Sequence, residues 1–170
     1  MANSLLRPSA SFDPASGLLR TDHFQVAYST NDLERACAIF SDRFGVRQWQ
    51  FMESPFPEGG LMTLKLAWVG SVMYELIDAR GPGSDIWASR LPADEFVIQH
   101  HHLGYLIHDK PQWDALTAEI ERGKWNLSYL TENPGFLKAC YVEVPVLGHY
   151  FEYIFPEEAG YEYFQNVPAN

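Results

Sequence analysis

The sequence carries one structural plan twice. A repeated plan constrains a fold tightly, because each copy must be one supersecondary unit that buries its apolar face with its neighbour. HFQVAYSTNDLERACAIFSDRFG, beginning at His23, and HLGYLIHDKPQWDALTAEIERGK, beginning at His102, share a histidine, alternating strand residues, an Asx start signal, an amphipathic helix and a glycine stop. The two histidines lie 79 residues apart. In the first copy Asn31 with Glu34 fits a capping box, Leu33, Ala36, Phe40 and Phe44 recur at helical spacing, and Gly45 offers a left-handed stop. In the second, Asp109 with Gln112 is the start, Pro111 suits the first turn, Trp113, Leu116 and Ile120 form the apolar stripe, and Gly123 is the stop.

Three strand-like segments follow each helix: 47–53, 61–69 and 71–78 in the first half, 127–131, 138–144 and 149–155 in the second, divided by Gly- and Pro-bearing turns. Each half therefore reads β-α-β-β-β. The expected fold is α+β: two βαβββ modules forming a cupped mixed β-sheet with helices on its outer face. Residues 1–17 are read as an N-terminal arm, 18–80 as the first module, 81–97 as a linker, 98–156 as the second module and 157–170 as a C-terminal arm lying on the surface.

Side chains alternate along a strand, so i and i+2 share a face. From His23 this puts His23, Gln25 and Ala27 opposite Phe24, Val26 and Tyr28; from His102 it puts His102, Gly104 and Leu106 opposite Leu103, Tyr105 and Ile107. The bulkier row should pack on the helices. Glu75 stands between Tyr74 and Leu76, and Glu152 between Phe151 and Tyr153, so each glutamate also faces away from a helix-facing row. The spacing from histidine to glutamate is 52 residues in the first copy and 50 in the second. His23, Glu75, His102 and Glu152 thus converge on one concavity. Two neutral imidazoles and two carboxylates balance a divalent cation and leave two octahedral positions open, while the absence of thiolates argues against a finger-type zinc site. A lone histidine at a strand start is ordinarily a surface residue, whereas a carboxylate within an apolar strand is costly to bury unpaired. Gln25, Tyr150 and Tyr141 are the candidates to line the cup. His100 is read as sharing the face of His102 and His101 as pointing away, both at an exposed strand end.

The segments HFQVAYSTNDLERACAIFSDRFG, MYELIDA, HHLGYLIHD and GHYFEYIF resemble the vicinal oxygen chelate superfamily, which includes glyoxalase I, methylmalonyl-CoA epimerase, extradiol dioxygenases and antibiotic-binding resistance proteins. The resemblance runs from about Leu19 to Phe155 and implies paired βαβββ modules cupped around a metal, with the ligand positions falling on His23, Glu75, His102 and Glu152. The cofactor is then one divalent ion, whether Ni, Co, Zn, Mn or Fe. A carboxylate at Glu75 fits glyoxalase-like enzymes better than dioxygenases.

An ion so held polarises a carbonyl and stabilises the enediolate left when the adjacent C–H loses its proton. The expected activity is therefore a glyoxalase-like lyase or isomerase, with Glu152 or Glu75 as general base. An alternative is a ferrous extradiol dioxygenase using His23, His102 and Glu152, with Tyr150, His100 or Tyr141 as acid–base groups. A further one is a non-catalytic protein that holds a small hydrophobic ligand, lined by Trp49, Phe51 and Trp68, although core packing suits each of those better. The partner is a small molecule: a net charge of -10 disfavours nucleic acid and anionic membranes. No apolar stretch reaches the length of a signal peptide core or a membrane span, so a soluble, cytoplasmic protein is expected. A homodimer is the default assembly. Cys37 and Cys140 form no metal or disulfide motif and read as small buried hydrophobes.

Overall fold

The computed structural model describes residues 10–170. Its strands and helices follow the repeat: β1 (Asp22–Thr30), α1 (Leu33–Phe44), β2 (Gln50–Pro55), β3 (Leu61–Val69) and β4 (Val72–Arg80), then a short α2 (Asp85–Ala88) in the connection. The second copy supplies β5 (Ile98–Leu106), α3 (Lys110–Gly123), β6 (Asn126–Asn133), β7 (Leu137–Val144) and β8 (His149–Pro156), and α4 (Glu158–Gln165) follows. All eight strands form one mixed sheet in the order β2-β3-β4-β1-β5-β8-β7-β6. Within each copy the first and last strands run parallel, β1 with β4 and β5 with β8, and the two copies join through the antiparallel pair β1–β5. The cup is thus completed by the two modules of one chain.

The two long helices, α1 and α3, each cover the outer face of their own module. Leu33, Ala36, Cys37 and Phe40 of α1 pack with Val46, Ala67 and Leu76. Leu116 and Ile120 of α3 pack with Tyr105, Cys140, Val142, Phe151 and Tyr153. The concave face carries a third cluster that includes Leu64, Leu66, Met73, Ile77, Tyr141 and Tyr150. Cys37 and Cys140 are both buried and unbridged, as read, and burial pushes their thiols up to about 11 and about 12.

Several local expectations are corrected. The cap of α1 is Asp32, whose carboxylate accepts from Arg35 N, and not Asn31. Asn31 instead clamps the inter-module connection, donating to the carbonyls of Pro92 and Glu95 and accepting from Val97 N. Asp109 does cap α3, accepting from Gln112 N, but that helix runs through Gly123, and Lys124 takes the left-handed turn with φ 51°. Gly123 is needed for another reason: the indole of Trp125 sits where its Cβ would be. The C-terminal arm does not merely lie on the surface. It forms α4 and then pairs with β3, with Trp68 N donating to Pro168 O and Asn170 N donating to Trp68 O. Among the described residues no helix is long and apolar enough to cross a membrane.

Candidate metal centre

Strand register brings Glu75 from β4, His102 from β5 and Glu152 from β8 together at the floor of the cup, each offering one ligand atom within 4.8 Å of the others. His102 Nε2 lies 3.2 Å from Glu75 Oε2 and 2.9 Å from Glu152 Oε2. His102 is fully buried and both glutamates are 6% exposed. The separations are short, yet they lack hydrogen-bond geometry: His102 Nε2, Glu75 Oε2, Glu152 Oε2 and Gln25 Oε1 are all buried without a partner. Buried polar atoms are almost always satisfied, so the Glu75, His102 and Glu152 atoms brought together here, with Gln25 in the wall of the same cavity, are a set of hard N and O donors that could hold a cation. In the metal-free protein the two carboxylates act on the imidazole. Burial alone lowers its pKa, but Glu152 and Glu75 outweigh that and hold it at about 9. Burial also raises the Glu75 carboxyl, against the opposing pull of His102.

His23 does not join the group. β1 carries a bulge at Phe24, since His23 pairs with Tyr105 and Gln25 with Gly104. A bulge reverses the alternation, so Phe24 and Gln25 both face the concave side while His23 turns outward, exposed, against the Tyr105 ring. β5 carries the matching bulge at His101, between the pairs Ala27–His102 and Tyr28–His100. The two bulges are counterparts, and so are the residues before them: His23 Nε2 contacts Gln25 O at 3.1 Å, and His100 Nε2 contacts His102 O at 3.2 Å. The repeat is therefore offset by 77 residues. His23 corresponds to His100, Gln25 to His102, Ala27 to Gly104, Tyr28 to Tyr105 and the helix cap Asp32 to Asp109. In this register Glu75 and Glu152 each follow their partner by 50 residues. Glu75 pairs with Ala27, and Glu152 with Gly104, so Gln25 and His102 stand at equivalent places beside them. Gln25 is 1% exposed, and a Cβ on Gly104 would collide with its side chain.

His101 is the residue that alternation alone misplaces. Because of the bulge it points to the concave side and is 5% exposed, stacked on Tyr150 and Trp87. Its Nε2–H donates to the Ile86 carbonyl at 2.9 Å, and its Nδ1 lies 2.8 Å from His102 Nδ1. Burial, followed by the charge on His102, pushes its pKa down to about 2, so it is neutral. A carbonyl only accepts, so His101 carries its proton on Nε2. Its Nδ1 then accepts from His102 Nδ1–H, which turns His102 Nε2 toward the glutamates.

Above the cluster the cup encloses a cavity of about 120 Å³. Gln25, Glu75, Glu152 and Tyr141 line it, with apolar walls from Met62, Leu64, Leu66 and Ile154, Trp87 of α2 and Phe164 of α4. Tyr141 is held protonated by burial and by the neighbouring charges of Glu152 and Glu75. Tyr150, expected in the lining, instead packs between the His101 ring and Arg90. His100 lies against Tyr28 and His149 on the outer side. Trp49 packs on Phe40, Phe51 is largely exposed, and Trp68 packs on Phe24 and donates from Nε1 to Phe164 O.

No protein-family model matches the sequence, and none of the curated proteins matches it. Solved structures do. Methylmalonyl-CoA epimerase from Mycobacterium tuberculosis superposes with a TM-score of 0.59 at 15% identity, covering 79% of this chain and 87% of that one. A Streptomyces coelicolor methylmalonyl-CoA epimerase variant in complex with 2-nitronate-propionyl-CoA gives 0.58 at 13% identity, covering 82% and 96%. A selenomethionine methylmalonyl-CoA epimerase gives 0.52 at 17%, covering 80% and 95%. At these identities the likeness is one of fold: the chain has the α+β glyoxalase-like architecture, a curled eight-stranded mixed sheet.

Proposed function

We propose that this chain is a divalent-metal-dependent lyase or isomerase of the vicinal oxygen chelate type, acting at a carbon next to a carbonyl. Gln25, Glu75, His102 and Glu152 would hold the ion. The observation that carries the reading is the set of four buried donor atoms without hydrogen-bond partners. One neutral imidazole, one amide oxygen and two carboxylates neutralise a divalent ion, as the expected set would, with Gln25 in place of His23. The fold neighbours being epimerases supports the same class of reaction.

The chemistry such an ion supplies is polarisation of a carbonyl oxygen, which acidifies the adjacent C–H. The chain's own residues do the rest. One carboxylate of the Glu75–Glu152 pair, which lines the cavity, takes the proton from carbon; it returns that proton to the neighbouring atom, or the other carboxylate, in its protonated form, delivers a proton to the opposite face. The Tyr141 hydroxyl, kept protonated beside Glu152, offers a hydrogen bond where negative charge develops. The apolar walls keep water from competing for the proton. The dioxygenase alternative draws less from the geometry, because of its three acid–base candidates only Tyr141 lines the cavity, and its ligand His23 stands outside the cluster.

Solvent-deuterium incorporation next to the carbonyl of a β-keto ester, followed by NMR, tests the reading. Exchange above the uncatalysed rate should require added Co(II) or Ni(II). Glu75→Gln and Glu152→Gln should separate the base from its partner, one losing exchange while retaining the ion. Metal-independent exchange, or oxygen uptake in its place, would contradict the proposal.

A further inference from the structure

Resting on that metal-site reading, we infer that the cup takes a small, uncharged carbonyl compound with a compact apolar or aryl tail, and excludes thioesters carried on anionic handles such as coenzyme A or glutathione. Among the described residues no lysine or arginine lines the cavity. The nearby cations are committed elsewhere. Lys65 and Lys138 alternate to the outer face, where they pair with Glu34 and Glu132. Arg80 is paired with Asp78, and Arg90 with Glu143 while also donating to the Gly148 carbonyl.

The polar groups that do reach the cavity are neutral or acidic. Ser54, Thr131 and Asn133 lie in the wall, and the two glutamates cancel the charge of the ion they hold. At Tyr129 burial raises the hydroxyl's pKa, and the charge of the neighbouring Glu58 adds to it. A phosphate or a glutathione carboxylate would therefore find no counter-charge among the described residues that line the cavity and would approach Glu58 near Tyr129, on a chain whose net charge is -10.

Size argues the same way. A cavity of about 120 Å³ is near the roughly 150 Å³ known to hold benzene, which is room for a short acyl chain or one ring. Phe164 of α4 and Phe136 of the β6–β7 turn help to close it. α4 is fixed there at both ends, by Glu157 N donating to Phe136 O and by the Trp68 indole donating to Phe164 O.

The test compares one acyl group on two carriers. Ethyl acetoacetate and acetoacetyl-coenzyme A are titrated calorimetrically into Co(II)-loaded protein, with metal uptake measured first on its own. The neutral ester should bind at least tenfold more tightly than the CoA ester. Equal or tighter binding of the CoA ester would overturn the inference, as would no binding of the neutral ester. If the protein takes up no metal, the preceding reading fails separately. The inference then stands only if the neutral ester still raises the melting temperature of the metal-free protein while the CoA ester does not, and it falls otherwise.

Discussion

His101 offers no atom to the ligand cluster, yet it sets which nitrogen of His102 does. The chain of contacts from Ile86 O through His101 to His102 Nδ1 has one self-consistent proton arrangement, with His102 Nε2 free to face Glu75 and Glu152. Partners of this kind commonly contribute 10–100-fold in metal affinity. Replacing His101 by Phe keeps the ring stacked on Tyr150 and removes the acceptor. The expected result, read by metal titration, is an affinity loss of about 10–100-fold with the fold intact by circular dichroism. Unchanged affinity would mean that the His–His contact does not orient the ligand.

The same two histidines set a pH profile for the metal-free protein. His102 is raised from 6.5 to about 9, so its contribution is complete below 6.5 and is lost as pH rises through 9. The raised Glu75 pushes in the same direction. His101 is lowered from 6.5 to about 2, so its contribution is present above 6.5 and is lost as pH falls through and below that value. Below pH 6.5 His101 and Glu75 oppose one another, so the clear prediction is that melting temperature in EDTA falls between pH 6.5 and pH 9. Saturating Co(II) should remove the alkaline decline, because the ion replaces the proton on His102. A melting temperature that rises steadily from pH 6.5 to 9 in EDTA would contradict this assignment.

At the residue scale the two carboxylates and His102 were legible, because each stands out within an apolar strand. The fourth position was not. Matching histidine with histidine, His23 with His102, puts the repeat two residues out of register, with unequal spacings of 52 and 50. Matching Asp32 with Asp109 and Tyr28 with Tyr105 equalises both spacings at 50 and selects Gln25. The bulges that turn Phe24 and His101 inward leave no mark on a strict alternation pattern.

Among the elements, both long helices could be read from their apolar spacing, and their caps decide a prediction. Asp32 and Asp109 each accept a hydrogen bond from the backbone three residues on, at 3.0 and 2.8 Å. Replacing either by Ala should cost about 1 kcal/mol, or roughly 2–4 °C in melting temperature for a chain of this size. A silent Asp32→Ala would return the cap to Asn31. β2 begins at Gln50 and not at Arg47, since Arg47 N and Gln48 N are taken by the Asn170 side chain. α4 could not be read in advance, because its sequence is aromatic and interrupted by Gly160. Only a glycine fits there, because a Cβ would strike the Phe136 carbonyl, a contact that exists after docking. Trp87 of α2 has the same character: nothing local shows that a loop tryptophan becomes a buried wall beside Phe56, Tyr129 and Tyr141.

The whole molecule follows from the repeat more directly than any single part does. Two copies, each with its first and last strands parallel and joined through β1 and β5, place Gln25 beside Ala27 and Glu75 in one half, and His102 beside Gly104 and Glu152 in the other. The small residues Ala27 and Gly104 leave space at the centre, and the four polar side chains occupy it. Metal content per chain, measured by mass spectrometry on wild type beside His102→Ala, Glu152→Ala, Gln25→Ala and His23→Ala after loading with Co(II) and desalting, tests this arrangement most directly. One ion per chain is expected in the wild type and in His23→Ala, with loss in His102→Ala and Glu152→Ala and weakened retention in Gln25→Ala. Full occupancy in both His102→Ala and Glu152→Ala, or a wild-type protein that holds no ion, would contradict it.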